Sequence, residues 1–152
     1  MNFKEYEEMI RNVPYTDTLE YQMAFLWLHP GIVPLCVMSI GNSESDIIKI
    51  PERAMNEYGR NVPVIAFSRK VFSGKSNIKD IILPQSIEQL PKGAFDGCAE
   101  LKRITIPRQV KIIREGTFAG CGNLEDVYYE GTMEEWKEIN IVYQKHEIEF
   151  GN

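Results

Sequence analysis

Residues 78–100 read IKDIILPQSIEQLPKGAFDGCAE, and residues 101–123 read LKRITIPRQVKIIREGTFAGCGN. They are one 23-residue unit written twice. A shift of 23 residues lays Ile78 on Leu101, Ile81 on Ile104, Leu83 on Ile106 and Pro84 on Pro107. It also lays Ile87 on Val110, Leu90 on Ile113, Phe95 on Phe118 and Cys98 on Cys121. A period this short predicts a stack in which each unit buries its apolar face against the next.

Within one unit, Leu101-x-x-Ile104-x-Ile106 alternates as a strand does. Ile104 and Ile106 point inward, and Arg103 and Thr105 point outward. Val110 and Ile113 belong to a second short extended segment, Phe118 fills the corner, and Gly116 and Gly120 permit the bends around it. The fold class that follows is α/β: a short leucine-rich-repeat solenoid with a parallel sheet. The string carried by Ile104, Ile106, Pro107, Val110, Ile113, Phe118, Cys121 and Leu124 resembles the BspA-type leucine-rich repeats, a largely bacterial family. Val127-Tyr128-Tyr129-Glu130-Gly131-Thr132 with Trp136 looks like the end of such an array. The resemblance spans about residues 62–140 and implies a binding or adhesion scaffold, of the kind usual on large surface proteins.

Outward from the two regular copies the repeat degrades. Val64 falls under Ile87, Phe67 under Leu90, Phe72 under Phe95 and Gly74 under Gly97. Ile47–Ile50 followed by Pro51 echoes Ile104–Pro107, so an earlier turn begins there and carries about ten extra residues. An expected helix over 52–60 would take up that insertion, with Pro51 at its start. Residues 1–60 are expected to cap the solenoid. A helix over 3–11 is capped by Asn2 with Glu5, one over 18–28 by Asp17, and a strand covers 35–40. Residues 61–130 hold the repeats. Residues 131–152 form a C-terminal cap, where Thr132 and Glu135 make the capping box of a helix carrying Trp136 and Ile139. Ile141–Phe150 is expected as an edge strand or ordered tail.

Charge is uneven. It is −4 over residues 1–50, +3 over 51–77, +2 over 78–123 and −6 over 124–152, for a net −5. That balance argues against nucleic acid as a partner. No run is long enough for a membrane span, and residues 1–12 lack an apolar leader core, so a cytoplasmic protein is expected. Three cysteines do not make a secreted disulfide framework. Cys98 and Cys121 share a repeat position and are expected as stacked core thiols, with a disulfide as the alternative. Cys36, His29 and His146 are too scattered for a metal site or a nucleophile–base pair. Ser73-Gly74-Lys75-Ser76 lacks the upstream glycine of a phosphate loop and sits at a repeat corner. No cofactor is expected.

Two outward rows cross the copies. One is Asp80, Arg103, Asp126, expected as a surface ladder of alternating charge. The other is Ile82, Thr105, Tyr128. Solenoids bind partners on such concave rows. The candidate binding residues are Ile82, Arg103, Thr105, Arg108 and Tyr128, with Pro84, Phe95, Cys98, Pro107, Phe118 and Cys121 as structural repeat positions. Cover by the N-terminal helices is the competing expectation for the rows. The expected function is protein–protein interaction without catalysis; the alternative is a carbohydrate- or cell-surface-binding adhesion module.

Overall fold

The computed structural model describes residues 1–23 and 34–142. In chain order its elements are α1 (Phe3–Arg11), β1 (Glu20–Met23), β2 (Leu35–Ser39), β3 (Ile47–Lys49), β4 (Arg53–Met55), β5 (Asn61–Phe67), β6 (Asp80–Ile82), β7 (Gln89–Leu90), β8 (Arg103–Ile106), β9 (Ile112–Ile113), β10 (Asp126–Tyr129), α2 (Met133–Lys137) and β11 (Asn140–Ile141).

The repeat forms the strands its alternation predicts. β6, β8 and β10 lie parallel, and β3 continues the sheet in the order β10-β8-β6-β3. The register preserves the repeat offset: Asp80 faces Arg103 and Arg103 faces Asp126, while Ile81, Ile104 and Val127 share the next row. β7, β9 and β11 make a second parallel sheet. Ile81, Leu90, Ile104, Ile106 and Val110 are buried in the core of these turns.

At the corner, Phe72, Phe95 and Phe118 stack with ring centroids 5.5 and 5.6 Å apart, so the half-repeat before Asn77 is a true turn of the solenoid. Gly97 and Gly120 take φ of 75° and 72° there. A Cβ on Gly120 would sit 3.2 Å from the Gly97 amide nitrogen, so strain and crowding both select glycine.

The first 60 residues depart from expectation in two places. The helix expected from residue 18 is a strand at Glu20–Met23, antiparallel to β2. Leu19 is buried and Tyr21 half-buried, while Glu20 and Gln22 are exposed. That two-residue alternation outweighs helix propensity once β2 supplies a partner. Residues 24–28 of that expected helix lie outside the described residues. The helix expected over 52–60 is a hairpin of β4 with β5. Asn56 Oδ1 accepts the Tyr58 and Arg60 amides, and Gly59 takes φ 71°, which makes the turn. β3 still pairs with β6, so the hairpin is the ten-residue insertion.

α1 and β2 form where expected. α1 carries its capping box in both directions, Asn2 with Glu5. α2 does the same with Thr132 and Glu135, and Trp136 packs 5.2 Å from the Tyr129 ring. β11 extends the second sheet beside β9. Residues 143–150 of the expected tail lie outside the described residues.

Candidate functional site

The outward face of the first sheet is not open to water: α1 lies on it. Ile82 is 8% exposed, Thr105 1% and Tyr128 9%. Ile82 and Tyr128 join Tyr6 and Ile10 in an apolar cluster separate from the main core, flanked by Phe3, Val13 and Ile47. Of the two expectations for this row, cover by an N-terminal helix is the one the structure realises. Tyr6 stacks on Tyr128 at 4.6 Å, and Phe3 lies 5.6 Å from the same ring.

The polar contacts fix the direction of the helix. At its start the Tyr128 hydroxyl donates to the Met1 carbonyl at 2.9 Å. At its middle the Tyr6 hydroxyl donates to Asp80 Oδ1 at 3.2 Å. At its end Lys49 Nζ donates to the Ile10 and Val13 carbonyls at 3.1 Å each. This cation on the last carbonyls also suits the helix dipole. α1 thus crosses the sheet from β10 to β3. Its nine residues rise roughly 13 Å, against three strand spacings of about 14 Å.

Within the charged row Asp80 and Arg103 form a clasp under α1 in place of the expected surface ladder, and Asp126 takes no part in an ion pair with Arg103. Arg103 Nε reaches Asp80 Oδ1 at 2.7 Å, and Nη2 reaches Oδ2 at 3.2 Å. Asp80 is 3% exposed. The Asp80 hydrogen bond holds the Arg103 guanidinium above its ordinary pKa. Burial, then Asp80, pushes the Tyr6 phenol far up, so it stays a donor at neutral pH. Arg108 is elsewhere: it is exposed and binds Glu135 Oε1 at 2.8 and 2.6 Å, tying the turn after β8 to α2.

Beside α1, a cavity of about 330 Å³ opens between the helix and the ends of β3, β6 and β10. Ile82, Leu83 and Pro84 contribute apolar surface; Glu7, Arg11, Lys49, Glu52 and Glu130 bring both signs of charge. Glu130 is half-buried and accepts from Gln85 Nε2. Burial raises its carboxyl, Gln85 lowers it, and Glu7 and Glu52 raise it further. A carboxyl raised in the fold costs stability as pH climbs past its ordinary value of 4.5. Glu130→Gln is therefore expected to gain thermal stability over the parent as pH rises from 4 to 7, and to show no advantage at pH 4. Thermal melts across that range check the sign.

These geometries belong to a recognisable repeat. Residues 60–145 match the family model described as BspA type leucine rich repeat region (6 copies). The chain belongs to the BspA-type leucine-rich-repeat family. The crystal structure of a T. pallidum leucine rich repeat protein matches it with TM-score 0.61 at 22% identity, over 75% of this chain and 48% of that one. A leucine-rich repeat protein from Bacteroides ovatus ATCC 8483 matches with TM-score 0.61 at 19%, over 86% and 37%. One from Bacteroides capillosus ATCC 29799 matches with TM-score 0.58 at 18%, over 84% and 94%. At these identities the likeness is one of fold. The chain spans about half the length of the T. pallidum protein and less of the B. ovatus protein. No curated protein sequence matches it.

In this leucine-rich-repeat chain Cys98 is buried in the core and Cys121 packs half-buried against it. The Cys98 thiol donates to Phe72 O and the Cys121 thiol to Phe95 O, both at 3.1 Å. All three cysteines are free. Burial, with Cys121 adding to it, pushes the Cys98 thiol up to about 12, so neutral pH leaves no thiolate to attack with. His29 and His146 lie outside the described residues. Among the described residues no group of three or more ligating side chains is placed to hold a metal ion, and no helix is long and apolar enough to cross a membrane. The sequence reading missed Tyr6, Lys49, Glu52, Gln85 and Glu130 as parts of this site. The one signal available is the apolar stripe Phe3, Tyr6, Met9 and Ile10 on the expected helix; the structure buries Tyr6 and Ile10 and leaves Met9 exposed.

Proposed function

We propose that this repeat protein is a non-catalytic module that binds another protein on the side where α1 crosses the sheet. The cleft beside α1 carries the reading. It has an apolar floor and a mixed-charge mouth, the combination of a buried centre and polar rim that protein interfaces use. Glu7 and Arg11 are exposed on the helix and line that mouth. Reversing both, Glu7→Arg with Arg11→Glu, keeps net charge but inverts the local pattern. Affinity capture with mass spectrometry is expected to recover a partner on the parent chain and about tenfold less of it on the double variant. Equal recovery on both would remove the cleft from the interface.

A further inference from the structure

We propose that the outer face of the β10-β8-β6-β3 sheet is a helix-binding groove, and that α1 is its tethered, exchangeable occupant. The partner it fits is an amphipathic helix with an aromatic residue at its centre and apolar residues three before and four after it. This rests on the reading of this side as the interaction surface and specifies what the partner brings.

The groove has the parts of a specific helix site. Tyr128 and Ile82 make the apolar wall that Phe3, Tyr6 and Ile10 fill. The Asp80–Arg103 pair offers a carboxylate to the central hydroxyl, and Arg103 lies over the Tyr6 ring at 5.4 Å. Lys49 waits for the carbonyls of the helix C-terminus, and the Tyr128 hydroxyl for a carbonyl at its start, so the groove reads polarity. Helix-in-groove recognition uses this spacing of anchors.

Exchange is possible because the groove cluster stands apart from the main core. The main core runs from Leu19 to Ile139 and includes none of α1. When α1 leaves, the turns beneath it keep their own packing. The hinge is short: Thr16 is fixed to the edge of β3, its amide donating to Lys49 O at 2.9 Å and its hydroxyl accepting the Lys49 amide at 3.0 Å. A nine-residue helix is marginal alone in water, so α1 loses its own order when displaced. The resident helix lowers the apparent affinity of any competitor by the fraction of time it is docked.

The test uses a fluorescent peptide of residues 1–14 and the full chain. Tyr6→Ala in the chain weakens the resident helix and leaves the groove intact. The peptide is expected to bind this variant at least about tenfold more tightly than the parent, and a peptide carrying Tyr6→Ala is expected not to bind. Equal binding to both chains, or no binding to a Tyr6→Ala chain that still melts cooperatively, overturns the proposal. Hydrogen exchange on the parent gives a reading free of substitutions. Amides of α1 are expected to open while those of β6 and β8 stay protected; opening of all three together overturns exchange. A chain that becomes dimeric by trading α1 between copies would make a second copy the occupant and overturn the partner assignment. Peptide exchange with unaltered capture in the Glu7→Arg, Arg11→Glu chain removes the cleft reading alone. Altered capture without peptide exchange removes the groove alone.

Discussion

Phe95→Ala is expected to cost about 3–5 kcal/mol of folding stability. Phe95 is fully buried, with Phe67, Phe72 and Phe118 within 5.9 Å of its ring centroid. Truncation leaves a void where three turns of the solenoid meet, and close-packed rings on both sides cannot collapse into it without unstacking. Phe118 holds the same repeat position but is only half-buried. Phe118→Ala is therefore expected to cost roughly half as much. Chemical denaturation of both variants checks the ratio. Equal costs would mean that the terminal turn is packed as tightly as the middle one.

The second large effect is at the clasp. Arg103→Ala leaves the Asp80 carboxylate buried with Tyr6 as its remaining hydrogen-bond donor. Removing one partner of a buried pair typically costs about 3–5 kcal/mol. The Arg103 side chain is 24% exposed, so water relieves part of this and about 2–4 kcal/mol is expected. Much of that cost is the stranded charge and not the worth of the pair. The double variant Asp80→Ala, Arg103→Ala is accordingly expected to be less destabilised than the two single costs added, with a coupling of about 1–3 kcal/mol. Additive costs in denaturation would show that the pair is solvated. Arg103→Lys keeps the charge but loses the two-pronged geometry, and is expected to fall between parent and alanine.

These effects separate what the sequence discloses from what it withholds. Phe95 and Phe118 could be assigned because each structural position between residues 78 and 123 is stated twice, and a stacked repeat gives both copies the same neighbours. The half-copy at Phe72 was legible for the same reason. The first 60 residues have no second copy to compare. There Leu19-Glu20-Tyr21-Gln22-Met23 supports either a helix, from its neighbours downstream, or a strand, from its own alternation. The partner strand β2 decides, and it enters only in the fold. The clasp shows a different limit. Cover of the outward rows by an N-terminal helix could be stated as an alternative, but not which residues of α1 meet which residues of the rows. Tyr6 and Asp80 are 74 residues apart, and Tyr128 and Met1 127 apart, with no spacing rule to join them. From the sequence Asp80 therefore reads as a surface charge. It is a surface residue of its repeat, buried only because a helix from elsewhere covers it.

The central claim is that α1 occupies the outer face of the repeat sheet. A nuclear Overhauser spectrum of the full chain tests it most directly. With the rings stacked at 4.6 Å, cross-peaks are predicted between the ring protons of Tyr6 and Tyr128, and between Tyr6 and the methyls of Ile82. Rings of Tyr6 and Tyr128 that show contacts only within their own segments would contradict it.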